Sequence, residues 1–211
     1  MYALRLLVVL LAFASTAAPV RALEPVWSQL PRAIPADSLA PALQTLEARG
    51  PRQISASAAY ALGQFHHARG EYRAAADAFG RAAARLSGPD RAEARYRQGL
   101  AWLGAGEPGR ARATFEEVAA TSRALRSAAQ FGLSQAFALS GEVTREMDVL
   151  ERLLEDSAGE AEPGALERYA LICDRAHRVK DAEAARERLR RRWPRSFEAA
   201  RANQTATRAR P

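Results

Sequence analysis

The chain has 211 residues, of which 48% are apolar and 26% charged, and its formal net charge is +7. An apolar share that high excludes a wholly disordered chain, and a single cysteine, Cys173, excludes any internal disulfide. Only one of the 31 basic residues, Lys180, is a lysine, a skew that fits a GC-rich coding sequence better than a dedicated binding chemistry.

The first 22 residues read as a secretory signal peptide. Arg5 supplies a short basic start, Leu6 to Ala14 an apolar core, and Val20-Arg21-Ala22 a small-x-small cleavage site. The apolar stretch is short and is broken by Pro19 and Arg21, which argues against a membrane span. An uncleaved anchor is the alternative reading. Export would place the protein in the periplasm or outside the cell, which sets nucleic acid aside as a partner despite a pI near 10.4. In an oxidising compartment a lone Cys173 is expected to be buried, at the position Trp102 fills in the second copy, and a disulfide to a partner is the alternative.

Residues 23–36 carry Pro25, Pro31 and Pro35 and are expected to be extended. Asp37 or Ser38 can cap a helix that runs to Arg49 and stops at Gly50-Pro51. That lone helix reads as an N-terminal cap on the domain over 37–202. Paired helices follow, predicted near 53–69 and 72–86, 90–105 and 108–120, 123–139 and 143–156, and 163–177 and 180–192. Gly88-Pro89 and Glu162-Pro163-Gly164 punctuate the longer joints. A short helix over 196–202 and a polar, disordered tail over 203–211 complete the expectation. No segment alternates with the period of a strand, so the chain is expected to be all-α.

The pairs are copies of one unit. Gly63, His66, Gly70, Ala75, Phe79 and Ala82 recur 36 residues on as Gly99, Trp102, Gly106, Ala111, Phe115 and Val118. A third copy begins 35 residues after the second and includes Leu133, Phe137, Gly141, Val143, Leu150 and Leu153. A fourth, a further 36 on, includes Tyr169, Cys173, His177, Val179, Ala182 and Leu189. With Leu62-Gly63, the turn motif Gly70-Glu71-Tyr72-Arg73-Ala74-Ala75 and the terminal Pro194, this pattern over residues 56–194 resembles the tetratricopeptide repeat. The resemblance implies a right-handed superhelix of about four helix-turn-helix repeats. Four positions depart from it: Pro108 replaces an aromatic, Glu146 an alanine, His177 a glycine, and Arg186 a large apolar residue.

No residue pattern points to catalysis. His66 and His67 are adjacent and diverge by about 100° on a helix, so they cannot easily share an ion. There is no metal-ligand spacing, phosphate loop or nucleophile elbow, and no metal site or cofactor is expected. The resemblance implies instead a non-catalytic scaffold that binds a protein or peptide, similar to exported cell-envelope repeat domains of the Tol–Pal or outer-membrane assembly type. It implies that Tyr60, Tyr96 and Phe131, one position in three successive first helices, line a concave groove together with Gln64, Leu100 and Gln135. The other reading is that the rings pack between helices. Arg190, Arg191 and Arg192 close a basic run that either contacts an anionic membrane or lipopolysaccharide surface or complements a helix C-terminus. An accessory subunit of an envelope enzyme complex is a further alternative. The sequence defines no oligomeric state.

Overall fold

The computed structural model describes residues 55–156 and 158–208, with side chains through Ala202. The expected leader, extended segment and capping helix lie outside the described residues. Every regular element among the described residues is helical. The chain divides into two units at the Glu107–Pro108 bond.

The described part of the first unit holds α1 (Ala56–Ala68), α2 (Tyr72–Ala83) and α3 (Gly88–Gly104). Ser55 caps α1, its Oγ accepting from Ala58 N at 3.2 Å. α1 packs on α2, and α2 on α3. The α1/α2 hairpin closes around Phe79, whose ring lies where a Cβ on Gly63 would stand, 2.6 Å from its nearest atom. Tyr60 meets the same ring edge-on, with centroids 5.3 Å apart. Tyr60, Leu62 and Phe79 are all buried. Leu62 and Phe79 each contribute about 1.5–3 kcal/mol of transfer free energy, and that is why these helices pair.

The second unit holds α4 (Pro108–Thr121), α5 (Arg126–Leu139), α6 (Val143–Glu155), one 3-10 turn (Gly159–Ala161), α7 (Glu162–Arg175), α8 (Val179–Arg192) and α9 (Phe197–Arg208). Consecutive helices from α4 to α8 pack on one another, and α9 packs on both α7 and α8. Phe115 and Leu150 are buried at the positions equivalent to Phe79. The Phe115 ring lies 2.6 Å from where a Gly132 Cβ would stand, so the glycine lets α4 and α5 approach.

The turns carry the repeat into the backbone. Gly70, Gly106, Gly141 and His177 are all left-handed, with φ of 75°, 71°, 73° and 57°. Each closes the same pair of hydrogen bonds. Gly70 N donates to His67 O at 3.0 Å and Glu71 N to His66 O at 2.9 Å. His177 N donates to Asp174 O at 3.1 Å and Arg178 N to Cys173 O at 2.8 Å. This satisfies the last carbonyls of each first helix and reverses the chain. The fourth repeat therefore keeps the turn although histidine replaces glycine.

The other departures also have physical reasons. Pro108 opens α4, where its missing N–H costs nothing. Glu146, only 2% exposed, takes the alanine position of the third repeat because Arg168 of α7 pairs with it. Arg186 does not fill the core of the fourth repeat; it pairs with Asp174.

Several boundaries differ from expectation. α5 starts at Arg126, because a turn over 123–125 precedes it. Glu162-Pro163-Gly164 is the first turn of α7 and not a joint, since proline is tolerated there. α9 extends to Arg208, past the expected stop at 202, because no glycine or proline intervenes before Pro211.

Candidate partner-binding site

The six expected groove residues sit in unlike environments. In the first unit, Tyr60 is 0% exposed and belongs to the hairpin core, so its ring is not an exposed anchor. Gln64, one turn on along α1, is half-buried. On α3, Tyr96 and Leu100 are half-buried, and Tyr96 is flanked by the ion pair Arg97–Glu93 at 2.7 Å. Burial pushes the Tyr96 phenol above its ordinary range, so the hydroxyl stays a neutral donor and acceptor.

In the second unit, Phe131 and Gln135 of α5 are half-buried. The Phe131 ring packs on α7, 2.8 Å from where a Cβ on Gly164 would stand. The fourth-repeat equivalents are Glu167 and Leu171. Leu171 is 42% exposed, while Glu167 is held by Arg201 of α9 through two guanidinium nitrogens. The same guanidinium lies 5.0 Å over the Phe197 ring, which is itself 70% exposed. Within this unit the surface thus runs from an aromatic on α5, past an acid–arginine pair, to an exposed ring on α9.

The turn residues are also charged. His66 Nδ1 lies 2.7 Å from Glu71 Oε2, and Arg69 Nε donates to Oε1 at 2.8 Å. These two partners hold the Glu71 carboxyl below the usual range. Its repeat equivalents are engaged as well: Arg73 donates to Glu107 at 2.8 Å, and Arg145 to Glu142 at 2.6 Å. At the fourth turn the sign reverses, and Arg178 donates to Glu151 at 3.0 Å and Asp181 at 2.6 Å.

The arginine run is mostly spoken for. Arg190 pairs with Glu187 and Arg192 with Glu162, each at 2.7 Å, while Arg191 is exposed. Leu189 is buried and Trp193 half-buried, so the run is the outer side of a packed helix end. This favours the helix-terminus reading, because a carboxylate already holds two of the three cations. Cys173 is buried, and burial raises its thiol above the ordinary range, as expected of an inert thiol. Sequence reasoning missed Glu162, which is 2% exposed and takes donors from Arg188, Arg192 and Trp193. The Arg and Trp spacing at the end of α8 held a signal, but nothing in it pointed to residue 162.

Left-handed turns at a fixed period, small-on-aromatic helix contacts and a wholly helical build among the described residues define repeated helical hairpins. Residues 60–162 belong to the tetratricopeptide repeat family, whose model matches residues 60–123 and again 103–162. No curated protein matches the chain. Among solved structures it is similar to the TPR-like repeats of a Podosopora anserina putative kinesin light chain, at 18% identity and a TM-score of 0.60 over 83% of this chain and 96% of that one. It is similar to YrrB, a TPR protein with an unusual peptide-binding site, at 16% identity and 0.59 over 88% of each chain. It is also similar to Pseudomonas aeruginosa pilF, at 16% identity and 0.54 over 81% of this chain and 80% of that one. At these identities the likeness is one of fold.

Proposed function

We propose that the chain is a non-catalytic scaffold of the bacterial cell envelope that binds a partner protein or peptide through the first helices of its repeats. The observation that carries this reading is the half-burial of Tyr96 with Leu100 in one unit and of Phe131 with Gln135 in the other. Rings fixed on one side and open on the other are the anchors that dominate interfaces, and they cost little side-chain entropy on binding. The general use of this fold in protein–protein interaction supports the same role, and the leader-like first 22 residues support the compartment.

The experiment is site-specific photo-crosslinking in cells. A photoreactive residue at Leu100 or Gln135 should capture one defined envelope protein, and the adduct should fade in a Tyr96→Ala or Phe131→Ala background. The same photoreactive residue at Ala113, an exposed position on the second-helix element α4, should not capture it. Equal capture from Ala113, or capture indifferent to both ring truncations, would remove the site. N-terminal sequencing of the mature protein tests export separately: a chain beginning at Leu23 is expected, and a full-length cytoplasmic chain would overturn the compartment.

A further inference from the structure

The second unit contains two clefts lined by equivalent positions of successive repeats. The first, of about 350 Å³, lies among α4, α5 and α6; the second, of about 720 Å³, lies among α6, α7 and α8. Leu133 of the first corresponds to Tyr169 of the second, 36 residues on. On α5 the first cleft uses Gln130, Leu133 and Phe137, and residues 131 and 133 are about 200° apart around a helix, so the clefts do not share the face of Phe131 and Gln135.

The two clefts differ in size and in charge. Asp148 and Val149 of the first become Ala184 and Ala185 in the second, which widens it. The first is balanced, Glu116 and Asp148 facing Arg145 and Arg152. In the second an acid, Asp181, stands where the first has Arg145. Its rim therefore carries Glu151, Glu155 and Asp181 against one lining cation, Arg188. That cation is turned to the buried Glu162, with Arg188 Nε to Glu162 Oε1 at 2.8 Å. Arg178 reaches Glu151 and Asp181 from the turn before α8 and answers their charge. Glu155 is exposed, and among the described residues it has no ion-pair partner. Leu154, Leu166 and Ala185 make an apolar floor beneath it.

An apolar floor under one uncompensated carboxylate matches a side chain with an aliphatic stem and a cationic head. We infer that the α6–α7–α8 cleft is a second docking site, which takes a lysine or arginine side chain of an extended peptide, the stem along Ala184 and Ala185 and the head at Glu155. The inference does not depend on the proposed binding face on the first helices. The smaller, charge-balanced cleft is its control within the same molecule.

The test is a titration of the isotopically labelled full chain with acetyl-Lys-Ala-Lys-Ala-Lys-amide and, separately, with its Glu-for-Lys counterpart, followed by amide chemical shifts. The cationic peptide should give saturable shifts at residues 184, 185 and 155 and none at 148 and 149. The acidic peptide should give none. Glu155→Gln should weaken binding about two- to five-fold, the range of a solvent-exposed charge pair. Ala184→Leu, a change at an exposed helical position, should abolish it by filling the cleft. Shifts confined to residues 131 and 135 would place the peptide on the other face and overturn the inference. So would equal response to both peptides, or a response that survives Ala184→Leu.

Discussion

The indole of Trp193 donates its Nε1–H to Oε2 of Glu162 at 3.1 Å, across 31 residues of sequence. The other oxygen of that carboxylate takes Arg188 at 2.8 Å and Arg192 at 2.7 Å, and Arg188 also donates to Leu154 O at 3.0 Å. One buried acid at the start of α7 thus ties down the end of α8 and, through Arg188, the end of α6. A buried carboxylate is tolerable only when such donors surround it.

Trp193→Phe keeps most of the ring packing and removes one donor from Glu162. It should cost about 1 kcal/mol, the net worth of a hydrogen bond. Glu162→Ala removes the acceptor of all three donors and should cost about 2 kcal/mol, moderated because Arg192 is half exposed and can turn to water. Denaturant midpoints of both variants check the order. A Trp193→Phe variant less stable than Glu162→Ala would show that the indole acts through packing and not through the acid.

The left-handed turns give two predictions of opposite sign. His177 holds φ at 57°, a conformation that penalises any residue with a Cβ, so His177→Gly should stabilise the protein by about 0.5–1 kcal/mol. Gly106 holds φ at 71°, and a Cβ there would meet nothing within 4 Å. Gly106→Val should therefore destabilise by about 1–3 kcal/mol from backbone strain alone. Chemical denaturation decides both, and an unchanged midpoint for Gly106→Val would remove strain as the reason for the glycine.

Helical glycines should divide by what they touch. Gly63→Ala would put a Cβ 2.6 Å from the Phe79 ring and should cost about 1–3 kcal/mol through overpacking. Gly109→Ala, in the first turn of α4, meets nothing within 4 Å and should stabilise by about 0.4–1 kcal/mol, because alanine leaves the unfolded chain less conformational entropy to lose. Thermal unfolding of the pair reads the difference directly.

The period was legible because it is written in residues with local meaning. Gly70, Gly106 and Gly141 mark turns that need a positive φ, and Phe79, Phe115 and Leu150 mark the large core position of each second helix. His177 was legible only by register, since nothing about a histidine announces a left-handed turn. The burial of Glu146 and Glu162 was illegible: a charge goes inside only if a partner meets it, and Arg168 and Arg188 lie 22 and 26 residues away. Among the candidate site residues, the shared register of Tyr60, Tyr96 and Phe131 was readable but their exposure was not. Tyr60 is drawn inward by Phe79, a neighbour that helix spacing alone does not pair with it.

The measurement that bears most directly on the binding role is a paired truncation of Tyr96 and Phe79, read for stability and for partner binding. Tyr96 is half-buried on α3, so Tyr96→Ala should lose about 2 kcal/mol or more of binding, as a hot spot does. Its stability should fall by less than the roughly 3–5 kcal/mol expected for Phe79→Ala, whose ring is 1% exposed. If Tyr96→Ala unfolds the protein as readily as Phe79→Ala, or leaves partner binding unchanged, Tyr96 is core packing and the first helices lose their claim to be the binding face.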